Sequence, residues 1–97
     1  MVQWRRCVSM KFEWDEDKNL ANVEKHGVSF EEAMRAFLDP RRKIRLNDKH
    51  FAAELRYLCL GTVGDRVLTV RFTVRGSKVR IIGAGFWREG RKIYEQE

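Results

Sequence analysis

Apolar residues keep two different periods along the chain, and the change falls near residue 40. "MKFEW" (10–14) alternates and carries aromatics, which predicts a short strand. Asp15 follows where a carboxylate caps a helix, with Glu16 and Asp17 in the first turn, where the helix dipole favours negative charge. Leu20 and Val23 stand three apart and are expected to give this helix its buried side. Gly27 suits the left-handed residue after a helix, and Val28 is expected to pack back on Val23. "SFEE" (29–32) is a capping box that opens a second helix, on which Phe30, Ala33, Met34 and Phe37 form one stripe before Asp39-Pro40 ends it.

Beyond Pro40 the period becomes two. "KIRL" (43–46), "LRYLCLGTV" (55–63), "RVLTVRFTV" (66–74) and "VRIIGA" (79–84) read as strands, and "GD" (64–65) and "RGSK" (75–78) as turns. The last three strands should form an antiparallel meander. "FWREGRKIYEQE" (86–97) reads as a closing helix, with Phe86, Gly90 and Ile93 toward the sheet and Trp87, Arg91 and Tyr94 on the neighbouring face. The predicted order is β-α-α-β-β-β-β-α. That is an α+β domain: a twisted antiparallel sheet with two N-terminal helices and a C-terminal helix mostly on one face. Alternation then sets the arginines of the later strands on the open face.

A chain of 97 residues, 43% of them hydrophobic, is expected to make one domain with a modest core. No apolar run is long enough for a membrane span, and "MVQWRRCVSM" lacks the apolar stretch of a secretory signal, so a cytoplasmic protein is expected. Cys7 and Cys59 lack metal-ligand spacing and suit a reducing compartment, with Cys59 in an apolar strand as a small core residue. Met10 makes a cleaner start, so residues 1–9 read as a tail and 10–97 as the domain.

Charge changes the picture more. Residues 1–40 hold six Lys/Arg against eight Asp/Glu, a net of −2, whereas residues 41–97 hold fourteen against six, a net of +8. The second part carries the electrostatic footprint of a protein that meets a polyanion, nucleic acid first. Several enzyme classes drop out: there is no P-loop, GxGxxG, HExxH or serine nucleophile motif, and Asp15 and Asp17 are more simply a helix start than metal ligands. No cofactor or metal is implied. What remains is Lys25, His26, Arg56, Arg71, Arg75, Arg80, Trp87, Arg88, Arg91 and Tyr94. Guanidinium and ammonium groups hold phosphates, and exposed aromatics stack on unpaired bases. RNA can also be cut without a metal, because its 2′-hydroxyl attacks the adjacent phosphate when a base, an acid and positive charge are supplied. Each residue has a structural reading beside this one. His26 and Lys25 could cap a helix end, Trp87 and Tyr94 could pack the last helix, and Arg71 and Arg80 could be a solvated sheet face. His50 falls in a predicted loop without an evident partner.

Residues 12–40, "FEWDEDKNLANVEKHGVSFEEAMRAFLDP", resemble the opening of the BrnT toxins, whose pattern is W-D-x-x-K…N-x-x-K-H-G-[VI]-S-F-E-E-A…F-x-D-P. The match runs through Trp14, Asp15, Lys18, Asn22, Lys25, His26, Gly27, Ser29–Ala33, Phe37, Asp39 and Pro40, and "RYLCLG", "FTVRG" and "VRIIGAGFWREGRKIYEQE" extend it over roughly residues 10–97. The resemblance implies a RelE-like fold and a toxin that cleaves RNA without a metal and arrests growth. It implies neutralisation by a BrnA-type antitoxin, with operator DNA met only through that complex. Because such antitoxins pair, it also allows a toxin homodimer within a heterotetramer. Carried across, Lys25 or His26 would transfer protons, Arg56, Arg80 and Arg91 would steady the scissile phosphate, and Tyr94, which matches the tyrosine of the final helix, would complete the catalytic set by holding a base with Trp87. Arg71, Arg75, Arg88 and Trp87 would bind the RNA. One departure stands out: many members carry an arginine where this chain has Gly85, and Arg88 or Arg91 is the nearest replacement for its charge. The alternative is a non-catalytic module that binds nucleic acid or the antitoxin.

Overall fold

The structure, a computed structural model, describes residues 10–47 and 54–96. The tail expected at 1–9, Cys7 and His50 lie outside them. Strand β1 (Lys11–Glu13) leads into helix α1 (Glu16–His26), then α2 (Phe30–Met34), which tightens into a 3-10 turn (Arg35–Leu38). Strands β2 (Lys43–Leu46), β3 (Tyr57–Val63), β4 (Arg66–Arg75) and β5 (Lys78–Gly85) follow, and helix α3 (Arg88–Glu95) ends the chain. This is an α+β arrangement around one five-stranded sheet in the order β1-β5-β4-β3-β2.

The local signals act as their chemistry dictates. The Asp15 carboxylate accepts from the amides of Asp17 and Lys18 at 2.8 and 3.4 Å. Ser29 and Glu32 close the capping box in both directions. Gly27 takes φ 71°, a value that favours glycine because it has no Cβ, and its N–H bonds the Val23 carbonyl at 2.8 Å. Phe30, Ala33, Ala36 and Phe37 enter the core against Cys59, Leu68, Val70, Phe72, Val79 and Ile81.

Three expectations are corrected. First, α1 does not dock through Leu20 and Val23, which are 59% and 42% exposed; Val28 goes into the core. Its buried side is Asn19 and Asn22, each 6% exposed. The Asn22 amide donates to the carbonyls of Val28 and Ala84, both at 2.9 Å, and accepts from the Ala84 N–H at 3.2 Å. Asn19 accepts from the Phe30 N–H at 2.8 Å, satisfying an amide at the start of α2. The helix is held by backbone groups that need partners, and apolar periodicity does not register those.

Second, the sheet is mixed. β2, β3, β4 and β5 pair antiparallel, but β1 runs parallel to β5, with Phe12 opposite Val79. This pairing reaches only Glu13–Arg80, so the outer edge of β5 beyond it is open, and Asn22 supplies at Ala84 the two hydrogen bonds a longer strand would have made. Third, the helices divide between the faces. α1, α2 and the 3-10 turn cover the face of Cys59 and Val70, whereas α3 lies on the face of Leu60 and Thr69. There Gly90 lacks the Cβ that would strike Thr69 Oγ1.

Candidate nucleic-acid interface

Strand register assembles the second face in rows. Lys43, Leu60, Thr69 and Gly85 lie side by side, and the next row is Arg45, Leu58, Arg71 and Gly83. Thr73, Arg80 and Glu13 follow, then Arg75, Lys78 and Lys11. Helix α3 covers the first row; beyond it Arg71 and Arg80 are half-buried and Arg75 and Lys78 exposed, while Thr73 is buried and donates to the Leu55 carbonyl at 2.6 Å. Lys43 is occupied, since its ammonium donates to the Ile93 carbonyl at 2.9 Å and to that of Gln96, capping the end of α3. Between α3 and the arginine row runs a groove of about 760 Å³, lined by Arg45, Leu58, Thr69, Arg71, Trp87 and Ile93 among others.

Trp87 closes one end of this groove. Its indole lies over Gly85, where an added Cβ would come within 2.4 Å of the ring. The space above residue 85 is therefore filled by Trp87. The Arg71 guanidinium stands 5.4 Å from the centre of the indole ring, and the His26 ring meets it edge-on at 5.3 Å, with the planes at 89°. His26 arrives there because Asn22, one helical turn earlier, ties α1 to the end of β5. The result is a continuous chain of His26, Trp87 and Arg71, drawn from α1, the β5–α3 junction and β4.

Three buried polar atoms on this face have no hydrogen-bond partner among the described residues: Arg56 Nε, Thr69 Oγ1 and Arg71 Nε. A buried guanidinium N–H without an acceptor is costly, and an incoming anion would relieve it. Arg80 forms an ion pair with Glu13 at 3.3 Å, and Lys78 lies 3.8 Å from the same carboxylate. Arg75 holds Glu54 at 3.1 Å. The hydrogen bonds from Arg75 draw the Glu54 carboxyl below its ordinary range against desolvation, helped by the charges of Arg75, Arg56 and Arg80. Arg75 thus holds one carboxylate at the far end of the face, within reach of the charges of Arg56 and Arg80.

The structure brings together His26, Arg71 and Trp87, with Arg56, Arg75 and Arg80 further along the same face. Lys25 is exposed one residue before His26. Arg88 and Arg91 lie on the other side of α3, where Arg91 stands 3.9 Å from Glu95. Tyr94 is held elsewhere: its hydroxyl donates to Asp39 Oδ2 at 2.6 Å, and the same oxygen accepts from Thr62 N and Oγ1 at 2.8 and 2.9 Å. The hydrogen bond to Asp39, then burial, raises the Tyr94 pKa above the usual phenol value. Burial pushes Asp39 up, but the bonds from Tyr94, Thr62 and Arg41 outweigh it and leave the carboxyl below its usual range. Among the described residues no three His, Cys, Asp or Glu side chains converge as a metal site, and no helix is long and apolar enough to cross a membrane.

The sequence marks Asn22 only as a motif position, without its role in positioning His26, and gives no role to Arg45, which lines the groove. The alternation of Lys43 and Arg45 in "KIRL" was a readable signal for the second; no periodicity marks the first. A family model described as the ribonuclease toxin, BrnT, of type II toxin-antitoxin systems matches residues 14–90, most of the chain. Comparison with curated proteins gave no match.

Proposed function

The chain belongs to the BrnT family of type II toxin–antitoxin ribonuclease toxins, and from that premise we propose that it cleaves RNA on the open face beside Trp87, without a metal. The carrying observation is that one buried guanidinium nitrogen each of Arg56 and Arg71 has no partner among the described residues, on a face whose edge presents an exposed histidine and an indole. Phosphate supplies the acceptors those nitrogens lack, and Trp87 offers a surface on which an unpaired base stacks.

In this reading the RNA 2′-oxygen attacks the adjacent phosphorus as its proton passes to a base. The bond from phosphorus to the 5′-oxygen breaks, and that oxygen takes a proton from an acid. The products are a 2′,3′-cyclic phosphate and a 5′-hydroxyl. His26, with Lys25 beside it, is the proton-transfer group. Arg71, Arg56 and Arg80 hold the negative charge that grows in the transition state, Arg80 exchanging Glu13 for phosphate. Arg75 binds the strand at the far end of the face. Tyr94, as a hydrogen-bond donor with a raised pKa, is assigned to holding α3 on Asp39.

The reading extends to a RelE-like fold, growth arrest in the cytoplasm, and neutralisation by a BrnA-type antitoxin whose acidic or amphipathic segment covers the basic face. That antitoxin would carry the complex, a toxin homodimer in a heterotetramer, to operator DNA. A second reading is favoured by Gly85: with indole in place of the family's arginine, the face would bind RNA or antitoxin without cutting. Expression in a host tests the two. The catalytic reading expects growth arrest that is lost in Arg56→Ala/Arg71→Ala, a variant that still folds. A host that grows normally while making soluble, folded wild-type protein would favour the non-catalytic module.

A further inference from the structure

Helix α3 has a groove on each side. The second, of about 390 Å³, falls within the size range of small-ligand pockets, about 300–1,000 Å³. Phe86 and Trp87 form apolar walls, and Arg66, Arg88 and Arg91 line it. Trp87 lines the main groove as well, so the two meet at its ring.

We infer that this second groove holds the nucleotide next to the two that flank the scissile phosphate in the main groove, so that a single RNA strand crosses over Trp87. The inference rests on the reading of the open face as an RNA site. The Arg66 guanidinium lies 4.0 Å from the centre of the Phe86 ring, which fixes its charge at the wall. Asp65 and Glu95 also line the groove, but Glu95 is drawn to Arg91 at 3.9 Å. Arg66 and Arg88 make no ion pair among the described residues, and they carry the positive excess. The indole of Trp87, with the guanidinium of Arg66 stacked on Phe86 and that of Arg88 beside it, suits one base and one phosphate, a pairing tolerant of sequence. The charge that Gly85 lacks is thus supplied one groove further on, to the flanking phosphate and not the scissile one.

Length dependence tests this. The probes are a 2′-O-methyl RNA dinucleotide and octanucleotide, which lack the attacking hydroxyl. Binding to wild type and to Arg66→Gln/Arg88→Gln is followed by NMR titration for the short probe and fluorescence anisotropy for the long one. The variant should lose roughly tenfold in affinity for the octamer, and its salt slope should fall by about 0.7 per lost phosphate contact. The dinucleotide, held in the main groove, should change by less than about twofold. Unchanged octamer binding, or equal losses for both lengths, would overturn the inference. Wild type that binds neither probe would instead overturn the RNA reading beneath it.

Discussion

Replacing Asn22 by alanine removes three hydrogen bonds at once and leaves the Val28 carbonyl and both backbone groups of Ala84 buried without that partner. At about 1 kcal/mol for each bond, the loss should be about 3 kcal/mol, a large share of the roughly 5–15 kcal/mol that holds a domain of this size. The melting temperature should fall by roughly 10–25 °C, taking about 4–8 °C per kcal/mol. Leu20→Ala is the control. An apolar helix side would make it cost about 2–5 kcal/mol, as buried leucines do; exposed as it is, the change should stay within about 0.5 kcal/mol. Urea denaturation followed by circular dichroism measures both, with unchanged slopes expected. An Asn22→Ala loss under about 1 kcal/mol, or a Leu20→Ala loss above about 2 kcal/mol, would refute the polar docking of α1. Since His26 lies one turn beyond Asn22, a surviving Asn22→Ala protein should also bind RNA more weakly.

Gly85→Ala should push the indole off its seat, changing the near-ultraviolet circular dichroism and weakening octamer binding by about tenfold, while Trp87→Ala should lose the roughly 1–3 kcal/mol of one stacked base. A Gly85→Ala variant with an unchanged tryptophan spectrum would count against the close packing of these residues. Tyr94→Phe should cost about 1 kcal/mol in urea denaturation at neutral pH. It should also flatten the acid limb. Asp39 has a folded pKa below its ordinary 3.8, so its contribution is present above that value and lost as pH falls through the folded one; without the Tyr94 hydroxyl, less is lost. A variant whose stability falls with acid as steeply as wild type would contradict this. On the alkaline side, the raised Tyr94 pKa gives a contribution that wild type loses only as pH rises above 10.

Elements whose signals are local were readable in the chain. Asp15, Ser29 and Glu32 cap the helices they precede, and alternation marked β3, β4 and β5 with their turns. What escaped depends on groups far apart. The parallel partner of β1 cannot be read from three residues, because Phe12 alternates equally well beside any strand. Asn19 and Asn22 look like solvent-facing residues unless the carbonyls and amides they serve are known. The arginines of the open face followed from alternation, but their neighbours did not. That His26 touches Trp87 depends on how α1 docks, and that Tyr94 reaches Asp39 joins residues 55 apart in sequence. The Gly85 departure was visible as a missing arginine; only the packing shows an indole in its place.

The most direct measurement is cleavage of a ribosome-free RNA by the purified protein in EDTA, beside His26→Ala and beside the same RNA with 2′-O-methyl groups throughout. A metal-independent ribonuclease acting through His26 should give fragments ending in 2′,3′-cyclic phosphate, cutting reduced by at least about 100-fold in the variant, and no cutting of the methylated RNA. Cleavage that vanishes in EDTA, or that folded His26→Ala performs at the wild-type rate, would contradict that mechanism.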